Sequence, residues 1–285
     1  MSLAPADELH VAGRRIRCRV SGDGPPVLLL HGIGRTMDDF AEQHDALARD
    51  HRVVSLDLPG HGGSTPLDAP HTLPALATAA VEVLDAAGVT RPAHLVGNSL
   101  GGAVAMRLAA DQPDRARSLV LVNSAGFGRE VTFALRLLAL RPLARLLLRP
   151  HPGIARRSER AIFHDPAYVS EARVAAALAV AREPHAARVM LELVGSLGTW
   201  RGVRPQWRRE LVAAVAALGL PTLVVWGDRD RILPVRHLTN AGRYFPQAQT
   251  HLFPDTGHMP QIERAAEFEA LVRQFWSRSG GARPA

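Results

Sequence analysis

Short, continuously apolar runs recur along this chain, and they constrain its fold more than any other feature. Such runs occupy residues 26–30, 51–58, 93–97, 117–123 and 221–227. A strand that is apolar at every position is buried on both faces, as in a parallel sheet, whereas a strand with one wet face alternates apolar and polar residues. The runs therefore predict a sheet that is mostly parallel and covered on both sides.

Helical patterns separate the first of these runs. Apolar residues recur at helical spacing in 37–50, 72–88 and 100–112. Strand and helix thus alternate, which predicts a doubly wound α/β fold.

The alternation stops between about residues 126 and 212. This region, called the insertion from here on, contains Leu- and Ala-rich helical patterns and no convincing strand run. The alternation then resumes with a helix around 235–243, a strand at 248–253 and a closing helix at 263–276. We predict one α/β core made of 1–125 and 213–285, an all-helical insertion at 126–212, and a loose tail, SGGARPA.

Charge does not identify a partner. The chain has 34 Lys and Arg, all of them Arg, against 27 Asp and Glu, for a formal charge of +7. Clustered cations attract polyanions, but these arginines are spread along the chain and only 129–160 concentrates them. No nucleic-acid-binding motif accompanies them, so we expect no nucleic-acid partner.

Other features of the sequence indicate its cellular compartment. Cys18 is the single cysteine, which excludes an intramolecular disulfide and a Cys-based zinc site, so we expect it to pack in the core. The first 15 residues lack the charged start and apolar stretch of a signal peptide. No apolar run approaches the roughly 18 residues of a membrane span. We therefore expect a cytoplasmic protein.

The stretch GNSLG at 97–101 lies where the run at 93–97 meets a helical pattern. It fits G-x-S-x-G, a turn that carries a nucleophile from a strand into a helix. A serine held above the sheet takes a strained positive φ, and side chains two residues away would collide with its surroundings. Gly97 and Gly101 meet that requirement, so Ser99 is the candidate nucleophile.

A serine hydroxyl needs a base, usually His, that a carboxylate orients. In this architecture the chain order is Ser, acid, His. Asp228 and Asp230 follow the run at 221–227, and His258 lies in a loop after the last predicted strand. These are the ends of strands at which such sheets place their chemistry.

Signatures along nearly the whole chain resemble those of the α/β-hydrolase superfamily. They are HGIG at 31–34, DLPGHGGS at 57–64, GNSLGG at 97–102, WGDRDRILP at 226–234 and TGHMPQIE at 256–263. The resemblance implies the α/β-hydrolase fold, with the insertion as its helical cap.

The resemblance also implies roles for single residues. The acid of the superfamily lies four residues before the proline of WGxxDxxxP, which selects Asp230 and leaves Asp228 as a loop residue. Some relatives carry the acid after the preceding strand, where this chain has the neutral Asn123. Backbone N–H groups of Leu100 and, by resemblance, Ile33 would form the oxyanion hole.

The histidines offer no metal site at the level of sequence. The chain has 13 of them, and no pair shows the H-E-x-x-H or a similar spacing. His31 resembles the loop-shaping histidine of the family, and we interpret His61 as a structural residue of a glycine-rich turn. We expect no metal and no cofactor.

The leading functional hypothesis is a serine esterase acting on small-molecule esters through Ser99, Asp230 and His258. The alternatives are a C–C bond hydrolase of meta-cleavage-type diketones, an acyltransferase or thioesterase, and a binding module without activity. The C–C hydrolases typically have Trp after the catalytic His and Asn near the oxyanion loop, where this chain has Met259 and Asp39. These departures disfavour that alternative.

The insertion leaves the substrate open. Its leucines would line a pocket for apolar groups or would only join the insertion to the core. Arg136, Arg141, Arg145 and Arg149 follow nearly one helical side, where they would form a solvated face, steer an anionic substrate or rest on an anionic membrane. The oligomeric state has no signal in the sequence.

Overall fold

The computed structural model describes residues 7–279, apart from the side chains at 141, 142 and 145; most of the predicted tail lies outside this range. The strands are β1 Asp7–Val11, β2 Arg14–Ser21, β3 Pro26–Leu30, β4 Arg52–Leu56, β5 Ala93–Asn98, β6 Ala116–Val122, β7 Gly198–Thr199, β8 Gly202–Val203, β9 Thr222–Gly227 and β10 Gln249–Phe253. Eight of them form one sheet in the order β1-β2-β4-β3-β5-β6-β9-β10. The pairs from β4 to β10 are parallel, and β2 is antiparallel to both β1 and β4. The predicted mostly parallel α/β sheet is confirmed.

Helices cover both faces of this sheet and also form most of the insertion. They are α1 Ala41–Leu47, α2 Leu73–Ala86, α3 Leu100–Asp111, α4 Phe133–Leu137, α5 Arg141–Leu147, α6 Pro152–Ile162, α7 Glu171–Arg182, α8 Ala186–Leu197, α9 Pro205–Ala217, α10 Arg236–Tyr244, α11 Pro260–Glu263 and α12 Ala265–Ser279. Short 3₁₀ turns occupy Met37–Phe40, Pro113–Arg115 and Pro166–Tyr168.

Strand β3 explains why the apolar runs are continuous. Leu28 and Leu30 pack on the face covered by α2 and α3, while Val27 and Leu29 pack on the face covered by α1 and α12. Because successive side chains of a strand point to opposite faces, a strand between two helical layers needs apolar residues at every position.

The insertion contains α4 to α8, and the expectation that it is all-helical is wrong in one detail. Strands β7 and β8 form a short antiparallel hairpin, with Gly198 paired to Val203 and Thr199 to Gly202. Strands of two residues leave no periodicity to detect. The predicted boundary at 212 falls inside α9, which packs on α3 and contributes Leu211 and Val215 to the main core.

Contacts hold the insertion over the carboxyl ends of the core strands. The His258 N–H, after β10, donates to the Ile162 carbonyl of α6 at 2.7 Å. His71, before α2, contacts Glu192 of α8 at 2.7 Å. Among the helices of residues 7–279, none combines the length and the apolar character needed to cross a bilayer.

Candidate active site

Ser99 lies at the corner between β5 and α3, with φ 55° and ψ −113°. A positive φ at a residue other than Gly costs about 1–3 kcal/mol and persists only where the surroundings enforce it. A Cβ on Gly97 would lie 2.3 Å from the carbonyl carbon of Gly101, and one on Gly101 would lie 2.1 Å from the Leu30 oxygen. The corner therefore closes only with glycine at both positions.

The same corner is tight on its far side. A Cβ on Gly102 would lie 2.3 Å from the Ser124 hydroxyl oxygen. The Ser99 N–H donates to the Val122 carbonyl at 3.0 Å, and the Ser99 carbonyl accepts from Ala125 at 3.0 Å. These contacts fix the serine backbone between β5 and the end of β6.

The loops after β9 and β10 bring His258 and Asp230 together. His258 Nδ1 lies 2.8 Å from Asp230 Oδ2, and both side chains are almost fully buried. Asp228 instead accepts a hydrogen bond from the Thr256 N–H at 3.2 Å. Asp230, the aspartate selected from the sequence, is the one in contact with the imidazole, and Asp228 lies in the loop.

Asp230 accepts hydrogen bonds on both carboxylate oxygens. Its Oδ1 accepts from the N–H groups of Ile232 at 2.7 Å and Leu233 at 3.0 Å. Its Oδ2 accepts from Asn123 Nδ2 at 2.6 Å as well as from His258. This set of donors favours a carboxylate anion that keeps the proton of His258 on Nδ1.

Sequence reasoning missed the part that Asn123 plays in the site. It considered this residue only as a position where some relatives carry the acid. Asn123 lies at the end of β6 with φ 43°, and its amide also reaches the Gly257 carbonyl at 3.4 Å. Asn tolerates positive φ better than most residues, which fits its place at this turn.

Asn98, the residue before Ser99, connects the corner to the histidine loop. Its Nδ2 donates to the Val122 carbonyl at 3.2 Å and to the His258 carbonyl at 3.1 Å. Within residues 7–279, no hydrogen bond joins the Ser99 hydroxyl to His258. Asn98 thus links the strand end before Ser99 to the loop that carries His258.

The backbone N–H groups of Ile33 and Leu100 have no acceptor among the described residues. Leu100 is the first residue of α3, where N–H groups lack partners within the helix. The loop that carries Ile33 lies against the serine, since a Cβ on Gly32 would lie 3.3 Å from Ser99 Cβ. Both N–H groups therefore belong to segments next to Ser99 and lack a protein acceptor within residues 7–279.

His31 holds the loop that carries Ile33 through hydrogen bonds at both ring nitrogens. Its Nδ1 lies 2.7 Å from the Gly32 carbonyl, and its Nε2 accepts from the Leu58 N–H at 2.9 Å. Burial lowers the pKa of His31 to about 4, so the ring is neutral at pH 7. The His61 ring packs on it at 5.2 Å between centroids, and burial lowers the His61 pKa to about 3.

A buried ionic cluster joins this loop to the insertion. Arg35 donates to both carboxylate oxygens of Asp39 at 2.7 and 2.8 Å and also contacts the fully buried Glu159 of α6. Burial opposes the charge on Arg35, but the two carboxylates outweigh it and raise its pKa. Burial likewise raises the pKa of Glu159, against the attraction of Arg35.

The two residues that differ from the C–C hydrolase pattern, Asp39 and Met259, are both held by other side chains. Asp39 is held by Arg35, and Met259, 1% exposed, packs with Phe163 and Ile262. Across residues 7–279, no three His, Cys, Asp or Glu side chains converge in a way that could hold a metal ion.

Comparison with known proteins agrees with this fold. A family model described as alpha/beta hydrolase fold matches residues 25–265. The dihydrolipoyllysine-residue acetyltransferase component of the acetoin cleaving system of Cupriavidus necator is 35% identical over 266 residues, which cover 93% of this chain and 67% of that protein. The 2-hydroxymuconate semialdehyde hydrolase of a Pseudomonas species is 32% identical, with 96% and 95% covered.

Solved structures have the same architecture. The crystal structure of a membrane phospholipase A, described as a bacterial virulence factor, superposes with a TM-score of 0.80 at 27% identity and covers 98% of this chain and 87% of that one. The family suspected from the sequence signatures is confirmed. This chain belongs to the α/β-hydrolase family.

Proposed function

We propose that the protein is a serine hydrolase that cleaves carboxylic esters with small to medium apolar acyl or alkyl groups. The observation that carries this proposal is the His258–Asp230 pair at 2.8 Å, beside a serine in a positive-φ corner. An imidazole whose Nδ1 proton is held by a carboxylate presents its Nε2 lone pair as a base.

In the proposed reaction, the Ser99 oxygen attacks the ester carbonyl carbon while His258 Nε2 takes the hydroxyl proton. The carbonyl oxygen becomes an anion that the N–H groups of Ile33 and Leu100 stabilise. The bond to the alkoxide then breaks, and His258 returns the proton to that leaving group. Water, deprotonated by His258, attacks the acyl-enzyme and releases the acid and the free serine.

Asp230 orients His258 in this scheme and stabilises the imidazolium that forms during each half-reaction. Asn123 assists by donating to the same carboxylate oxygen that His258 contacts, at 2.6 Å. This second donor holds the carboxylate in place while the imidazole exchanges protons with substrate.

Apolar residues of the insertion near the oxyanion loop support the substrate class. Ile33 packs against the buried cluster of Leu138, Ala144 and Val194, and Leu135 and Met190 pack against the same cluster. A Cβ on Gly34 would lie 3.0 Å from the Met190 methyl carbon. Apolar side chains next to the loop that carries Ile33 favour an ester with apolar groups.

Acyl transfer is the second candidate, because the same acyl-enzyme can pass its acyl group to an alcohol or a thiol instead of water. The relative from Cupriavidus necator is an acetyltransferase component, which supports acyl transfer as a candidate. Thioester hydrolysis uses the same steps. C–C hydrolysis has support from the Pseudomonas relative but less from the site, where Asp39 is paired with Arg35.

The test is labelling by a fluorophosphonate probe together with hydrolysis of a panel of esters graded in acyl length, including a thioester and a meta-cleavage product. We expect the wild type to react with the probe and to prefer apolar esters, and Ser99→Ala to lose both properties. Ser118→Ala, a buried serine near the opposite end of the sheet, is the matched control and should keep them. Equal labelling of Ser99→Ala would overturn the proposal, and acyl products formed with added alcohols would favour acyl transfer.

A further inference from the structure

Two large aromatic side chains of the insertion are exposed side by side with arginines. Phe133 of α4 is 64% exposed, and Trp200, in the turn between β7 and β8, is 54% exposed. Arg136 joins them, because its Nε donates to the Trp200 carbonyl at 2.8 Å and its guanidinium lies 5.8 Å from the Phe133 ring centre. Arg201 lies over the Trp200 ring at 5.0 Å.

Clefts beside these aromatics are lined by arginine. A cleft of about 520 Å³ and a neighbouring one of about 380 Å³ share Arg129 and Arg201 in their walls. Together they are lined by Arg129, Arg136, Arg201, Arg204, Arg208, Arg209, Arg231 and Arg236. We call this surface, together with Phe133 and Trp200, the basic aromatic face.

Little negative charge opposes these arginines. Glu130 is shared between Arg236 at 3.2 Å and His237 at 3.0 Å, and Asp230 is occupied by its four hydrogen bonds. Within the described part of the chain, the remaining arginines of the face have no carboxylate within ion-pair distance. Elsewhere, arginines such as Arg17 and Arg273 each contact two carboxylates. The face is therefore a local excess of positive charge.

We propose that the basic aromatic face docks on the surface of an anionic phospholipid bilayer. Guanidinium groups pair with lipid phosphates through two hydrogen bonds, and aromatic rings are favoured at the boundary between headgroups and acyl chains. Nucleic acid is the less suitable partner, because it satisfies the arginines but leaves Phe133 in water.

This surface differs from the one that the sequence pattern indicated. Of the four arginines on one predicted helical side, Arg136 belongs to the basic aromatic face, while the side chains of Arg141 and Arg145 lie outside the described residues. The other cations come from the loop after β6, the hairpin and the neighbouring α9, the loop after β9 and the start of α10.

The test uses the full chain carrying Ser99→Ala, so that no lipid is hydrolysed and membrane binding is measured independently of any esterase activity. The probes are vesicles of phosphatidylcholine alone and of phosphatidylcholine mixed with phosphatidylglycerol. Trp200 is the natural reporter, because Trp226 and Trp276 are buried, at 0% and 7% exposure, and Trp207 is partly buried. We expect cosedimentation with the anionic vesicles and a blue shift of tryptophan emission that Trp200→Phe abolishes.

Charge variants make the test specific. Arg201, Arg209 and Arg231 are exposed, and their combined replacement by Gln should weaken binding to the anionic vesicles by roughly a hundredfold, about fivefold for each arginine. The matched control replaces Arg49, Arg117 and Arg278, which are exposed and follow α1, begin β6 and end α12, away from the face. It makes the same change in net charge and should retain most of the binding.

Several outcomes would overturn the proposal. They are equal binding to both kinds of vesicle, an equal loss in the control triple variant, and an unchanged Trp200 emission on binding. Tight binding of duplex DNA without binding of anionic vesicles would also overturn it, in favour of a nucleic-acid surface. None of these results bears on whether Ser99 is a nucleophile.

Discussion

Two histidine–carboxylate pairs in this protein share one geometry. His258 Nδ1 lies 2.8 Å from Asp230, and His71 Nδ1 lies 2.7 Å from Glu192. Both imidazoles are buried, and both pairs join segments that are distant in the chain. Distance and burial therefore do not distinguish a catalytic pair from a structural one.

The difference lies in the second nitrogen of each ring. His71 Nε2 accepts a hydrogen bond from the Leu67 N–H at 3.2 Å, so both of its nitrogens serve the fold. In residues 7–279, His258 Nε2 has no such partner. Although burial acts the other way, hydrogen bonds from the side chain and backbone of His71 lower the pKa of Glu192 to about 2. Only a histidine with an unbonded ring nitrogen has a lone pair left for proton transfer, which is the property that the proposed mechanism requires of His258.

Replacing each histidine by Gln should give the largest contrast. His258→Gln removes the proposed base and its buried bond to Asp230, and we expect kcat for ester hydrolysis to fall about 10⁴-fold with a loss of unfolding free energy no larger than that of His71→Gln. His71→Gln breaks buried hydrogen bonds between the core and the insertion, and we expect it to cost about 1–3 kcal/mol of unfolding free energy while most of kcat remains. If His71→Gln lost as much kcat as His258→Gln while still folded, the second nitrogen would not be the deciding feature.

A smaller effect is expected at Asn123, whose amide donates to Asp230; Glu192 receives its further side-chain hydrogen bond from Arg188 instead, at 2.9 Å. Asn123→Gly keeps the positive φ and removes the donor to Asp230, so we expect kcat to fall about tenfold, a loss of 1–2 kcal/mol in the transition state. Asn123→Ala is the control for the backbone. It should match the glycine variant in kcat and be less stable by about 1 kcal/mol, because alanine is strained at φ 43°. Equal kcat in all three proteins would refute the role of the amide.

The last contrast concerns histidines that contact no carboxylate at all, and its effect on stability is small near neutral pH. Burial lowers the pKa of His44 to about 4 and that of His94 to about 3, from 6.5. The unfolded chain therefore binds more protons, so stability is complete above about pH 6.5 and falls as the pH approaches 4. Each such histidine contributes up to about 1.4 kcal/mol per pH unit in this interval.

Urea unfolding across that interval checks this expectation. His94→Gln should reduce the dependence of unfolding free energy on pH, and the exposed His10→Gln should leave it unchanged. Stability that rose with acid between pH 6.5 and 4 would contradict the assignment.

The sheet could be predicted because its central strands are buried on both faces. Leu28 packs against one helical layer and Val27 against the other, so both must be apolar. The result is a continuous apolar run that can be recognised in the sequence. Strand β1 escaped prediction because its edge position leaves most of its side chains exposed, so it lacks an apolar run. The β7–β8 hairpin escaped because it is too short to show a period.

The candidate site was predictable only where a local motif encodes it. The corner at Ser99 needs glycines at fixed offsets, and these can be read within five residues. Asn123 and Asp230 are 107 positions apart, and Arg35 and Glu159 are 124 apart. No local pattern marks such pairs, because tertiary packing brings them together. The roles of Ser99 and His258 remain predictions that the variants above test, and those of Asp230, Ile33 and Leu100 remain predictions.

The corner at Ser99 also determines how this protein can change over evolutionary time. Behind Gly97 and Gly101 the obstacle to a methyl group is main chain, at 2.3 and 2.1 Å, and no second mutation removes a main chain. Behind Gly102 the nearest obstacle is the Ser124 side chain, at 2.3 Å, which a change of Ser124 to Gly would remove, leaving the Gly97 oxygen at 3.1 Å. Descendants of this sequence can therefore exchange residues 102 and 124 as a pair, while positions 97 and 101 stay glycine as long as Ser99 keeps its backbone conformation.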